Sequence, residues 1–215
     1  MKIQRIAIHS LRLITFTALI AVIQFHAAQA QAPQGKPVTI RGKISAVEKQ
    51  ALKVTTSAGE LLVKLPDDVR ISGVEAAKLS DITAGNYVGT TAVKQADGNL
   101  KALEVHIFPE SSRGTGEGHR PWDLQPGSTM TNANVEKVEQ VAVEKVQGQL
   151  LTLKYKDGEQ KVFIPPGTPI VKNVPGDQSL LKPGTGVYVA AVRGEDGTLT
   201  ATRINAGVGG IMPPM

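Results

Sequence analysis

Near the middle of the chain, five side chains that can act as metal ligands fall within eighteen residues. They are two imidazoles and three carboxylates, at His106, Glu110, Glu117, His119 and Asp123. Zinc and copper accept imidazole nitrogen and carboxylate oxygen, so a fold that brings these groups together would make a metal site. The metal hypothesis names His106, Glu110 and His119 as ligands. No HxH or HxxxH spacing fixes their geometry, and the alternative for His106 is that it simply caps a strand.

The same stretch contains a second candidate site, for contact with a ligand or a partner protein. Residues 113–120 read RGTGEGHR, and the only tryptophan, Trp122, follows them. A phosphate-binding loop needs its glycines before a helix N-terminus, and Pro121 with Pro126 disfavours a helix there. Long connections in compact proteins are often functional, which favours a contact surface. The predicted contact residues are Arg113, His119, Arg120, Trp122 and Asp123. The alternative is a structural connection that Trp122 anchors.

No arrangement typical of an enzyme stands out. The chain lacks a G-x-S-x-G nucleophile motif, and Ser111, Ser112 and Ser128 have no recognisable triad partners. Glu117 or Asp123 could pair with His119, but nothing distinguishes such a pair from a solvated loop. The sequence therefore predicts no catalytic residue and favours a protein that binds rather than reacts.

A secretory signal peptide is predicted at residues 1–30. Lys2 and Arg5 precede an apolar run at 13–25, and Ala28-Gln-Ala30 supplies a small-x-small cleavage site. The run is shorter than the roughly 20 residues that span a bilayer. The chain has no cysteine, which excludes disulfides, lipid attachment through a thiol and thiol chemistry. We expect a periplasmic or secreted protein with no membrane insertion after cleavage.

The charge of the mature chain gives little reason to expect a nucleic-acid partner. Three of the 24 basic side chains and none of the 19 acidic ones lie in residues 1–30, so 21 remain against 19 and the net charge is +2. Aromatic residues are sparse and are not interleaved with basic ones. Both the electrostatic and the stacking contributions to nucleic-acid binding are therefore weak.

The mature chain contains an internal repeat. Residues 47–106 align without a gap with residues 146–205, and seventeen positions are identical. Turn residues coincide, among them Gly85 with Gly184 and the Asp-Gly pairs at 97–98 and 196–197, which are typical of tight hairpins. His106 aligns with Asn205. A duplication is predicted, with its boundary inside residues 106–135.

Each copy predicts an all-β unit of short strands. A short helical segment is expected at 74–80, and in the second copy Pro175 and Gly176 shorten it. This order is typical of an OB-like Greek-key barrel, with a half-open SH3-like barrel as the alternative. The predicted domains are a first OB-like barrel at 31–107, a Gly/Pro-rich connecting segment at 108–133, and a second barrel with a short C-terminal tail at 134–215. The predicted strands are 38–47, 52–56, 61–65, 87–94 and 100–107, and then 135–146, 150–155, 160–164, 186–193 and 199–205.

One pattern carries a family resemblance: Lys78-Leu-Ser-Asp-Ile-x-x-Gly85-x-Tyr-Val88, followed by Asp97-Gly98-x-Leu100-x-Ala102. It resembles exported bacterial proteins grouped as domain of unknown function 5666. The central string HIFPE…RGTGEGHRPWDL…GSTMTNA is similar to uncharacterised periplasmic proteins of this kind. The resemblance implies an OB-like β-barrel fold and brings no established activity or catalytic residue.

The functional expectation is a periplasmic or secreted, non-enzymatic binding or adaptor module. Its partner would be an unidentified protein or small ligand of the cell envelope, and no cofactor is expected. The alternative is a periplasmic metal-binding protein that holds a divalent metal through His106 and His119. A further alternative is an extracytoplasmic enzyme of unknown reaction.

Overall fold

The chain is all-β in the computed structural model, which describes residues 35–96, 98–143 and 146–214. The predicted signal peptide lies outside the described residues. The described part contains thirteen strands, three single 3₁₀ turns and no α-helix. The turns are at Leu79–Asp81, Glu110–Ser112 and Gln178–Leu180. The strands are β1 Lys36–Glu48, β2 Ala51–Thr56, β3 Gly59–Lys64, β4 Arg70–Ala76, β5 Tyr87–Lys94, β6 Leu100–Ile107, β7 Gly118–Pro121, β8 Ser128–Val143, β9 Val146–Tyr155, β10 Gly158–Ile164, β11 Ile170–Pro175, β12 Gly186–Arg193 and β13 Leu199–Gly207.

The strand pairings form two closed cycles of five strands each. The first strand ring runs β1–β2–β3–β13–β12 and returns to β1. The second strand ring runs β8–β9–β10–β6–β5 and returns to β8. Each cycle is completed by a short parallel contact, Val63 with Leu199 in the first ring and Val162 with Leu100 in the second. Alternate apolar side chains fill a separate core in each ring.

Each ring combines strands from both sequence copies. The first ring takes β1–β3 from the first copy and the hairpin β12–β13 from the second, while the second ring takes β8–β10 from the second copy and β5–β6 from the first. The structure thus differs from the predicted barrels at 31–107 and 134–215, because the strands of each range are divided between both rings. The reason lies in β4 and β11. They pair with each other and with the last strand of the opposite copy, and so carry the chain from one ring to the other.

The predicted helical segment at 74–80 is wrong for most of its length. Residues up to Ala76 belong to β4, and only the single 3₁₀ turn at Leu79–Asp81 is helical. β4 is hydrogen-bonded on both sides, to β11 and to β13, and Val74 is fully buried. Tertiary pairing of β4 on both edges therefore overrides the favourable helix propensity of Glu75, Ala76 and Ala77.

The hairpin β8–β9 is longer than its counterpart β1–β2. Val47 pairs with Leu52 five positions later, whereas Val138 pairs with Leu151 thirteen positions later. The second copy thus has eight additional residues in this hairpin. The gapless sequence alignment places Val47 against Val146, but the pairing makes Val138 the structural counterpart of Val47.

The segment predicted as a connection, 108–133, is partly strand. β7 pairs with the start of β8, and β8 begins at Ser128 and pairs along β5. The connection proper is therefore a 3₁₀ turn, a glycine-rich loop and a hairpin turn at 122–127. No helix in the described part of the chain is long and apolar enough to cross a membrane.

Candidate functional site

The predicted contact residue Arg113 is held by internal partners. Its guanidinium donates hydrogen bonds to Glu110, to the side chain of Asn134 and to the carbonyl of Gly85. It also lies over the Tyr87 ring, 5.9 Å from the centroid. The hydrogen bond from Arg113 lowers the pKa of Glu110. Arg113 therefore fastens the connection to the start of β5 and to β8.

Trp122 and its neighbours fasten the next part of the connection to both rings. The partly buried indole packs against the cluster of Met130 of β8 and Tyr188 of β12, against which Ala190 also packs. Arg120 lies 5.5 Å from the Trp122 ring centroid and donates a hydrogen bond to the carbonyl of Gly116. The cation–π contact adds to the area that the indole buries.

An ion pair between Arg41 and Asp123 attaches the same part of the connection to β1. Arg41 of β1 donates two hydrogen bonds to the carboxylate of Asp123, at 2.8 and 3.3 Å, and these lower the pKa of Asp123. Arg41 also lies 5.3 Å from the centroid of the Tyr188 ring. Asp123 belongs to the connection, so the pair links it to two strands of the first ring.

The predicted metal ligands His106, Glu110 and His119 do not come together. His106 is fully buried on β6, whereas Glu110 is occupied by Arg113. His119 on β7 has its Nδ1 2.8 Å from the Thr131 hydroxyl, and partial burial lowers its pKa. Among the described residues, no group of three or more His, Cys, Asp or Glu side chains could hold a metal ion.

Glu104 and His106 form a buried polar pair on β6, and of the two only His106 was singled out in the sequence. The His106 Nε2 lies 3.9 Å from Glu104 Oε1, and both side chains are almost fully enclosed. The Thr91 hydroxyl donates a 2.7 Å hydrogen bond to Glu104 Oε1. Glu104 Oε2 and both ring nitrogens of His106 have no hydrogen-bond partner among the described residues.

Burial moves the pKa values of this pair in opposite directions. Loss of solvent raises the pKa of Glu104 to about 7, while the Thr91 hydrogen bond and the charge of Arg41 act against the rise. Loss of solvent lowers the pKa of His106 to about 4, a shift that the neighbouring Asn173 side chain only partly offsets. Between these two values both groups are uncharged. Their enclosure leaves no access for a substrate, so we assign them a structural role.

An apolar groove of about 500 Å³ lies on the outer side of the second strand ring. Val162 and Ile164 belong to the core of the ring, so Phe163 between them lies on the opposite face of β10. Leu150 of β9 and Lys101 of β6 flank Phe163 in register and share that face. These three side chains form one side of the groove.

Two hairpins form the walls of this groove. One is the turn between β5 and β6, and the other is the extended β8–β9 hairpin. The described residues that line the groove are Gln95, Ala96, Asn99, Leu100, Lys101, Val141, Val143, Val146, Leu150, Phe163 and Pro165. Gly148 lets the β8–β9 hairpin approach β10 closely, since a Cβ there would lie 2.6 Å from the Phe163 ring and 2.5 Å from the carbonyl oxygen of Ile164.

Sequence reasoning missed this groove, although the aligned copies contain a signal for it. Phe163 aligns with Lys64, and Leu150 aligns with Ala51. In the first ring Lys64 is flanked in register by Ala51 and Thr200, so the matching face is polar and small. The two rings therefore differ at this face, which has a phenylalanine at its centre in the second ring and a lysine in the first.

Comparison with known proteins adds a family match over part of the chain but no function. Neither the curated proteins nor the solved structures contain a match to this chain. A family model does match, and the matched stretch includes β9 to β12 and most of β13. Its turn residues Gly184, Asp196 and Gly197 are the counterparts of those that carried the resemblance in the first copy. Residues 142–205 match the family described as domain of unknown function (DUF5666), and the resemblance predicted from the sequence is confirmed over that stretch.

Proposed function

We propose that this chain is a periplasmic or secreted, non-enzymatic binding module of two OB-like barrels that takes an apolar ligand in the groove of the second strand ring. The pairing order of each ring supports this proposal. An OB-fold is a five-stranded Greek-key barrel that binds ligands on its second and third strands, between the loop that joins strands one and two and the loop that joins strands four and five. In the second ring these strands are β9 and β10, and the loops are the β8–β9 and β5–β6 hairpins.

The groove is the observation that carries the proposal. Its volume of about 500 Å³ falls within the range of small-molecule sites, and most of its lining side chains are apolar. Val146 is 44% exposed at its rim, so an apolar ligand in the groove would cover apolar surface that otherwise faces solvent. The eight additional residues of the β8–β9 hairpin supply Val141, Val143 and Val146 to this wall.

The difference between the two rings supports a single ligand site. The first ring has a two-residue turn between β1 and β2, and Lys64 stands where the second ring has Phe163. A charged side chain at the centre of this face disfavours an apolar ligand. We therefore assign ligand binding to the second ring, and to the first ring the role of completing the fold.

The test uses the uncharged dye phenylnaphthylamine, whose fluorescence rises in apolar surroundings. The mature wild-type protein should bind the dye, and Val146→Lys should weaken binding about tenfold or more, because it places a charge at an apolar wall. Val47→Lys is the matched control, since Val47 is 43% exposed and does not line the groove. Equal affinity in all three proteins, or no dye binding by a folded wild type, would overturn the proposal.

A further inference from the structure

We infer that the ligand of the groove is a single-chain amphiphile with an anionic head group, and that Lys101 receives the head group. The inference rests on the proposed binding function and names its ligand class. It starts from the position of Lys101, which lies beside Phe163 in the parallel contact between β6 and β10. An apolar chain that contacts Phe163 would therefore lie next to an ammonium group.

Charge complementarity is the second step. Lys101 is the only charged side chain among the described residues that line the groove. It is exposed and makes no ion pair with any described residue, whereas Lys53, Lys137, Lys154 and Lys172 are each paired with a glutamate. An unpaired cation at the edge of an apolar groove attracts an anionic group on the ligand.

The amount of charge decides between ligand classes. A nucleic acid would need several cations along its backbone, and the described lining offers one. A neutral ligand would leave Lys101 unused, and a cationic one would be repelled by it. A long apolar chain with one negative group matches both the apolar walls and the single cation.

The experiment compares two probes that share a chain and differ only in the sign of the head group. Dodecanoate and dodecyltrimethylammonium compete with phenylnaphthylamine for the intact mature protein at pH 8 and low ionic strength. We expect dodecanoate to displace the dye at a concentration about tenfold lower. Lys101→Gln should weaken dodecanoate about fivefold, the size expected for a partly screened ion pair, without weakening the cationic probe.

Lys94→Gln is the control, because Lys94 is exposed on the same hairpin and does not line the groove. It should leave both probes unchanged. Equal potency of the two probes, or no effect of Lys101→Gln on dodecanoate binding, would overturn the inference. The proposed function would still stand if the wild type binds the dye. An uncharged apolar peptide that displaces the dye when neither amphiphile does would also overturn it. Failure of the wild type to bind the dye at all would count against the proposed function itself.

Discussion

Val74 of β4 lies directly opposite Asn173 of β11, and the two residues are ninety-nine positions apart, which is the offset of the sequence repeat. A position that pairs with its own repeat marks a pseudo-twofold axis between β4 and β11. The two ring-closing contacts follow the same offset, since Val63 with Leu199 corresponds to Val162 with Leu100. The predicted duplication accounts for this register if the two halves exchange hairpins.

Engineered disulfides should distinguish this exchange from two barrels in tandem. Lys64 is the parallel neighbour of Thr200, whereas in separate barrels it would lie beside Lys101. The chain has no cysteine, so Lys64→Cys with Thr200→Cys should close one intramolecular bond on mild oxidation. Mass spectrometry and non-reducing electrophoresis would detect it. The control pair, Lys64→Cys with Lys101→Cys, should remain reduced, and cross-linking of that pair instead would contradict the exchange.

Trp122 should contribute substantially to stability through packing. Because the indole is only partly buried, we expect Trp122→Ala to cost about 2 kcal/mol, below the loss usual for a fully enclosed tryptophan. The indole Nε1 has no hydrogen-bond partner among the described residues, so Trp122→Phe should cost much less. Urea unfolding followed by circular dichroism gives both values. A loss within about 0.5 kcal/mol for the alanine variant would mean that the Trp122 contacts contribute little to stability.

The local elements could be predicted from the sequence because turn chemistry marks them. Gly85 and Gly184 have φ values of 90° and 88°, and Gly197 has 81°, a region that side chains disfavour. The predicted strand bounds therefore agree closely with the structure for β5, β6, β12 and β13. β4 was missed because its strand conformation depends on pairing with β11 and β13, and no local pattern reports these partners.

The exchange of hairpins could not be predicted, since it leaves every local pattern unchanged. Val63 needs an apolar neighbour in the last strand of a copy, and Leu100 and Leu199 satisfy that need equally well. The groove was missed for the same reason, because it requires the β8–β9 hairpin of one copy to meet the β5–β6 turn of the other. The composition of the segment 108–133 favoured a contact site there, but Arg113, Trp122 and Asp123 make contacts within the protein.

The raised pKa of Glu104 predicts that this carboxyl lowers stability at alkaline pH. Because burial favours the protonated form, its contribution is fully present below about pH 4.5 and is lost as pH rises through about 7. Glu104→Gln keeps an acceptor for the Thr91 hydroxyl and removes the titration. The free energy of unfolding of the variant minus that of the wild type should be larger at pH 8 than at pH 5, by up to about 3 kcal/mol. Urea unfolding at the two pH values checks this, with exposed Glu60→Gln as the control. An unchanged difference would show that Glu104 does not titrate in this range.

The lowered pKa of His106 predicts the opposite dependence. Burial disfavours the imidazolium form of His106. As pH drops from about 6.5 to about 4, the unfolded chain therefore binds a proton that the folded chain does not, and stability falls. The two residues partly cancel, so the measurement belongs in the Glu104→Gln background. There, His106→Asn, which copies Asn205 at the matching position, should remove up to about 3 kcal/mol of acid-induced loss. The readout is the slope of unfolding free energy against pH, which is independent of any packing cost of the substitution. Equal slopes with and without the imidazole would mean that folding does not lower the pKa of His106.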